Sequence, residues 1–245
     1  MTRIVQSLAE ISKPYDALLC DLWGCLHNGV APFAPAIAAL QAYRAGGGKV
    51  VLLTNAPRPS KYVIQSLDKM GVPRDVYDLV VSSGDAAQDA MFAGAVGHKV
   101  WHLGPDKDDG FFSEIPAEWQ GQSNIQRVPF DEAEGIVCTG PFDETTEVPE
   151  DYRPRFLLAK GRGLPMLCAN PDVVVDMGER RIYCAGALAA LYEDMGGSAF
   201  YFGKPHPPVY DMARRRLTAL GGPRDLNLLA IGDGINTDVA GARGE

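Results

Sequence analysis

The chain has 245 residues, 46% of them hydrophobic and 22% charged, which excludes a disordered chain and leaves room for one large domain or two small ones. Its formal net charge is −8, from 23 Lys+Arg against 31 Asp+Glu, a poor match for a phosphate backbone, so no nucleic-acid partner is expected. No stretch approaches the roughly 20 uncharged apolar residues that cross a bilayer, so no membrane partner is expected. Residues Arg3, Glu10 and Lys13 interrupt the apolar residues at the start, unlike a secretory signal.

In chain order, short apolar runs alternate with amphipathic segments. Residues 17–20 (Ala-Leu-Leu-Cys) form the first run, which stops at Asp21. Residues 35–45 then read as a helix, ended by Gly46, Gly47 and Gly48. The second run, 50–53, stops at Thr54 and Asn55. A helix over 58–70 places Val63, Leu67 and Met70 on one face, with Pro59 near its start and Gly71 and Pro73 as a stop. A third run, 79–81, ends at Ser82, Ser83 and Gly84. Near the end of the chain, 199–202 leads into Gly203, Lys204 and Pro205. Residues 207–220 then carry Val209, Met212, Ala213, Leu217 and Leu220 on one helical face. The last run, 228–231, stops at Gly232 and Asp233. Continuous apolar runs suit strands buried on both faces, and the alternation predicts an α/β fold built on a doubly wound parallel sheet. Between His98 and Gly178 the chain is richer in Pro, Gly and charge, with strand-like runs at 100–103, 136–139 and 166–169. This predicts an inserted α/β cap domain at 98–178, with the core formed by 1–97 and 179–245.

Five cysteines (20, 25, 138, 168, 184) form no C-x-x-C pair. Apolar surroundings and the odd count predict reduced, mostly core thiols and a cytoplasmic protein. The four histidines show no ligand spacing with these cysteines, so no zinc site is expected on that basis. Arg214, Arg215 and Arg216 read as a solvated helix face.

Ligands of open parallel sheets lie beyond the carboxyl ends of the strands, where the unusual polar residues of this chain gather. Clustered aspartates suit Mg²⁺, while Lys and Thr suit phosphate oxygens. The residues 21–29 (Asp-Leu-Trp-Gly-Cys-Leu-His-Asn-Gly) resemble the first motif of the haloacid dehalogenase superfamily. Leu53-Thr54-Asn55 resembles the second, Gly203-Lys204-Pro205 the third, and 232–238, from Gly232 through Asp233 to Asp238, the fourth. An insertion between the second and third motifs is similar to the class IIA cap branch of phosphatases. Asn170-Pro171-Asp172 and Gly186-Ala187-Leu188 also look like that branch.

The resemblance implies a Rossmann-like core with a cap, and hydrolysis of small phosphomonoesters through an aspartyl-phosphate at Asp21. It implies Mg²⁺ held by Asp21, the Trp23 carbonyl and Asp233. Asp238 would position metal-bound water or Lys204. Thr54 and the Asn55 N–H would bind phosphate oxygens, Lys204 would neutralise them, and Asn170 and Asp172 in the cap would choose the substrate. The implied partners are a small phosphorylated metabolite and a second copy of the chain, paired through the cap. The family fold would continue with another helix and at least one edge strand, whereas only seven residues follow Asp238, which implies a truncated chain or a shorter sheet.

One position departs from the family. The phosphatase motif carries an acid/base Asp two residues after the nucleophile, and here that residue is Trp23. General acid–base catalysis contributes ~10²–10⁴-fold, so turnover is expected to be slow and to favour aryl or acyl phosphates, unless His27 on the following loop supplies the proton. Two alternatives follow: a catalytically impaired protein that binds Mg²⁺ and a phosphorylated ligand, or a dehalogenase-type hydrolase in which Asp21 attacks carbon.

Overall fold

The structure is a computed structural model that describes residues 3–177, 180–222 and 225–244. The chain divides into two compact units: Met1–Thr54, Ser60–Val81 and Pro207–Glu245 make the first, and Asn55–Pro59 with Ser82–His206 the second.

The first unit contains β1 (Ala17–Cys20), α1 (Ala34–Ala45), β2 (Lys49–Thr54), α2 (Ser60–Lys69) and β3 (Leu79–Ser82, its last residue falling in the second unit). In the second unit, α3 (Ser83–Phe92), β4 (Lys99–Leu103), α4 (Gly110–Ser113), β5 (Gln126–Arg127), β6 (Gly135–Cys138) and α5 (Arg153–Gly161) come first. They are followed by β7 (Pro165–Cys168), the hairpin β8 (Val174–Met177) and β9 (Arg180–Tyr183), α6 (Ala185–Asp194) and β10 (Ser198–Tyr201). The chain then returns to the first unit with α7 (Pro207–Ala219), β11 (Leu228–Ile231), a π-helical turn at Ile235–Val239 and α8 (Ala240–Gly244).

The first sheet runs β11-β1-β2-β3. Strand β1 is parallel to both neighbours, with Cys20 level with Ile231 on one side and Leu52 on the other. All four residues of β1 are buried, as expected for the central strand of a covered parallel sheet. The winding passes from β1 outward to β2 and β3, then returns to β11 on the far side of β1. The reversal therefore lies between β1 and β11, the place where such sheets bind ligands. Arg216 of α7 is not purely solvated, since its Nη1 donates to the Val80 carbonyl at 3.2 Å.

The second sheet runs β10-β7-β6-β4-β5, and each of its pairs is parallel. It too is covered on both faces. Trp101, Leu103, Ile136, Cys138 and Met166 enter one apolar cluster with Phe156. The alternating Val100, Val137 and Leu167 enter another, with Met91 and Phe111. The period-two alternation of a strand thus appears as two cores, which is why the sequence shows unbroken apolar runs.

The second unit extends beyond the expected 98–178 at both ends. At its start, Ser82 caps α3 by accepting the Asp85 N–H at 3.0 Å, and the Ser82 hydroxyl donates to the Arg58 carbonyl at 2.7 Å. Gly84 completes this attachment, because its N–H donates to the Ala56 carbonyl and a Cβ there would lie 2.5 Å from the Arg58 backbone. At its end, β10 pairs with β7, which carries Lys204 into the second unit. The expected boundary at residues 178 and 179 lies outside the described residues.

His102 lies in the buried part of β4, with its Nε2 3.0 Å from the Thr139 hydroxyl. Burial, with Arg127 adding to it, lowers its pKa to about 4. The unfolded imidazole takes a proton near pH 6.5, and the folded one refuses it until about pH 4. Stability is therefore predicted to fall across that window as pH drops, with His102 accounting for on the order of 3 kcal/mol by pH 4. Urea unfolding over a pH series should show a shallower acid slope for His102→Gln.

Candidate active site

In the first unit the carboxyl ends of β1 and β11 bring Asp21 and Asp233 together. The Asp21 N–H donates to the Ile231 carbonyl at 2.8 Å, extending the strand pairing by one residue and setting the two loops side by side. Among the described residues, Asp21, Cys25 and Asp233 each place one ligand-type atom within 4.8 Å of the others. Asp21 is buried, Cys25 half-buried and Asp233 exposed.

The loop after Asp21 is wound tightly enough to make this possible. The Leu26 and His27 N–H groups both donate to the Leu22 carbonyl, and the Gly24 N–H donates to the His27 carbonyl at 2.9 Å. Gly24 has φ +79°, a conformation that costs other residues about 1–2 kcal/mol. A Cβ at that position would lie 2.1 Å from Asp233 Oδ2. The loop backbone therefore cradles the second carboxylate. Two unit negative charges 4 Å apart repel by about 4 kcal/mol at an effective dielectric near 20, which a divalent cation between them turns into attraction. A hard carboxylate pair beside a glycine-lined backbone fits Mg²⁺.

Asp238 is buried near the end of the π-helical turn, and its Oδ2 accepts the Gly234 N–H and the Thr237 hydroxyl, each at 3.2 Å. A Cβ on Gly232 would lie 2.1 Å from the Asp238 Cγ. Asp238 thus pins the loop that carries Asp233. Thr54 ends β2.

Trp23 is 44% exposed. Its indole meets the His27 ring edge-on, with centroids 5.8 Å apart, and its benzo edge leaves no room for a Cβ on Gly29. His27 is buried, and its Nδ1 accepts the Gly29 N–H at 3.0 Å, so the neutral ring carries its proton on Nε2. Desolvation lowers its pKa below the ordinary value. Burial thus disfavours the charged imidazolium form of His27.

The other predicted residues belong to the second unit, where they form a knot. The Asn55 amide donates to Asp172 Oδ1 at 2.9 Å and to the Lys204 carbonyl at 3.0 Å, while its Oδ1 accepts the Lys204 N–H at 2.7 Å. Asn170 Oδ1 accepts the Asp172 N–H at 2.9 Å, closing a turn around Pro171. Lys204 is 3% exposed. A Cβ on Gly203 would lie 2.5 Å from Asn55 Oδ1. The side chains of Asn55, Asn170 and Asp172 thus hold Lys204 in place.

Sequence reading missed Cys25 as a member of the carboxylate cluster. Its place four residues after Asp21 was a usable signal, because the intervening Gly24 lets the chain double back. Cys20, Cys138, Cys168 and Cys184 are buried as expected, and no disulfide forms. Burial raises the Cys184 thiol to about 12, and Cys138 and Cys168 are pushed up for the same reason. A cavity of about 450 Å³ lies elsewhere in the first unit, lined by Ser12, Tyr15, Tyr43 and Gly48. Those residues flank the amino ends of β1 and β2, opposite the carboxylates. No helix of the described residues is long and apolar enough to cross a membrane.

A family model described as haloacid dehalogenase-like hydrolase matches residues 18–115, and one described as HAD-hydrolase-like matches residues 201–244. Among solved structures, a haloacid dehalogenase-like hydrolase from Brucella suis 1330 is 42% identical, with a TM-score of 0.89 over 98% of this chain and 86% of that one. A 4-nitrophenylphosphatase from Thermotoga maritima shares the fold at 19% identity, with a TM-score of 0.70 over 94% of this chain and 82% of that one. A glycerol phosphate phosphatase from Mycobacterium tuberculosis, in complex with magnesium, shares it at 23% identity, with a TM-score of 0.68 over 95% of this chain and 66% of that one. Comparison with curated proteins gives no match.

Gly24→Ala is predicted to push Asp233 off its position and weaken divalent-cation binding by at least tenfold, while the fold survives a cost of about 1–3 kcal/mol. The check is the rise in Tm on adding Mg²⁺, which the variant should lose.

Proposed function

The chain belongs to the haloacid dehalogenase-like hydrolase family and is a hydrolase, and we propose that it cleaves small-molecule phosphomonoesters in a Mg²⁺-dependent reaction at Asp21. The observation that carries this reading is the meeting of the Asp21 and Asp233 carboxylates where the winding reverses between β1 and β11. Phosphatases among its structural neighbours, one of them in complex with magnesium, support it.

Asp21, Asp233 and the Trp23 carbonyl would hold the Mg²⁺, which supplies charge neutralisation for an incoming phosphate dianion. An Asp21 carboxylate oxygen attacks phosphorus as the bond to the leaving oxygen breaks, giving an aspartyl-phosphate. Water then cleaves that acyl phosphate, releasing inorganic phosphate and restoring the carboxylate. On the family motifs, Thr54 and the Asn55 N–H bind phosphate oxygens and Lys204 neutralises them. Asp238 acts by fixing the Asp233 loop.

Trp23 sets the substrate preference. With no titratable group at that position and burial disfavouring the His27 imidazolium, the leaving oxygen lacks the carboxylic acid that the family motif places there. Aryl and acyl phosphates, whose leaving groups are weak bases, are therefore turned over faster than alkyl phosphates. The same residue favours one second reading, a protein that binds Mg²⁺ and a phosphorylated ligand with little turnover.

Phosphate release from a panel of aryl, acyl and alkyl phosphates, with Mg²⁺ and with chelator, separates the two. Chelator and Asp21→Asn should each reduce release to background. Mg²⁺ and phosphate raising Tm without any turnover would favour the binding reading. Trp23→Asp should raise the rate on alkyl phosphates by about 10²-fold. A slower variant with intact circular dichroism would overturn the idea that this position limits the reaction.

A further inference from the structure

We propose that Cys25 gives the Asp21–Asp233 centre a third, sulfur donor, so that thiophilic divalent cations such as Zn²⁺ and Cd²⁺ bind there and displace Mg²⁺. The proposal rests on the Mg²⁺ reading for the use of the carboxylate pair, and adds a ligand that neither the family motifs nor the spacing of Cys and His supplied.

Three observations carry it. First, the Cys25 Sγ and one oxygen from each carboxylate lie within 4.8 Å of one another. Donors on a single tetrahedral ion, with metal–oxygen bonds near 2.1 Å and a metal–sulfur bond near 2.3 Å, stand about 3.6 Å apart. The cluster therefore closes onto one ion with small side-chain movements. Second, the placement is built into the backbone. Gly24 at φ +79° and the paired donation of Leu26 and His27 to the Leu22 carbonyl turn the chain back over Asp21, with Cys25 inside that turn. Third, Cys25 stands apart from the other four cysteines. They are buried, whereas Cys25 is half-buried and sits beside the exposed Asp233.

The chemistry then discriminates between ions. Mg²⁺ takes oxygen ligands and gains little from a thiol. Zn²⁺ and Cd²⁺ accept two carboxylates and a thiolate readily, and the thiol proton passes to solvent as the metal–sulfur bond forms. An ion held this way ties down Asp21, the proposed nucleophile. Micromolar zinc is thus expected to act as an inhibitor that excess Mg²⁺ relieves poorly.

The test uses the full-length metal-free protein. Cd²⁺ is titrated while the ultraviolet thiolate-to-metal charge-transfer band is recorded, and Zn²⁺ and Mg²⁺ affinities are measured by calorimetry. The wild type should show the band. Cys25→Ser should lose it, and its ratio of Zn²⁺ to Mg²⁺ affinity should fall at least tenfold. In the wild type alone, Cd²⁺ should protect Cys25 from alkylation, read by mass spectrometry, which keeps the test independent of how the variant folds. Absence of the band in a protein that still binds Mg²⁺ would overturn the Cys25 proposal and leave the Mg²⁺ reading standing. A band that persists in Cys25→Ser, or no protection of Cys25, would overturn it as well. A Cys25-dependent band in a protein that shows no Mg²⁺ binding would uphold the thiol site and overturn the Mg²⁺ reading.

Discussion

Two carboxylates repel, and the chain holds Asp21 and Asp233 within 4.8 Å of each other all the same. The force that keeps them there is the hydrogen-bonded pairing of β1 with β11, whose register puts Cys20 level with Ile231 and runs on into the Asp21 N–H. Burial of all four residues of β1 anchors that register. A fully buried apolar side chain contributes roughly 1.5–3 kcal/mol, so the strand far outweighs the few kcal/mol of repulsion at its tip. The buried strands thereby hold two like-charged side chains side by side, an arrangement that suits a cation between them.

Close backbone approach is the second constraint, and it repeats. Gly24 lies against Asp233, Gly232 against Asp238, and in the second unit Gly203 against Asn55. In each case a methyl group would meet a polar side chain at 2.5 Å or less. Glycine here supplies missing volume, and at position 24 also a left-handed backbone.

Much of this was legible in the sequence. Runs such as 136–138 and 166–168 are apolar without a break because strand alternation sends successive residues into two cores, and that pattern identified the strands and their parallel class. The acidic and amide residues stood out because they follow those runs directly. Side-chain pairing was not legible. Nothing in the local pattern says that the Asn55 amide spends its donors on Asp172 and Lys204, a bond across 117 and 149 residues of chain. Nor does periodicity say to which sheet an isolated short strand belongs. The run at 199–202 was readable as a strand, but its pairing with β7 depends on long-range packing. Cys25 was passed over because an apolar setting is the usual fate of a thiol, and only the turn at Gly24 shows otherwise.

The setting of the three tryptophans has a practical consequence. Trp101 is buried in the second unit and Trp119 is half-buried there, with its Nε1 donating to Asp89, while Trp23 stands 44% open to solvent two residues from Asp21. A neutral soluble quencher such as acrylamide reaches the first of these indoles in the chain more readily than the others. The fluorescence of this loop is therefore an intrinsic optical probe, and events at the carboxylates can be followed in the unlabelled protein without a coloured substrate.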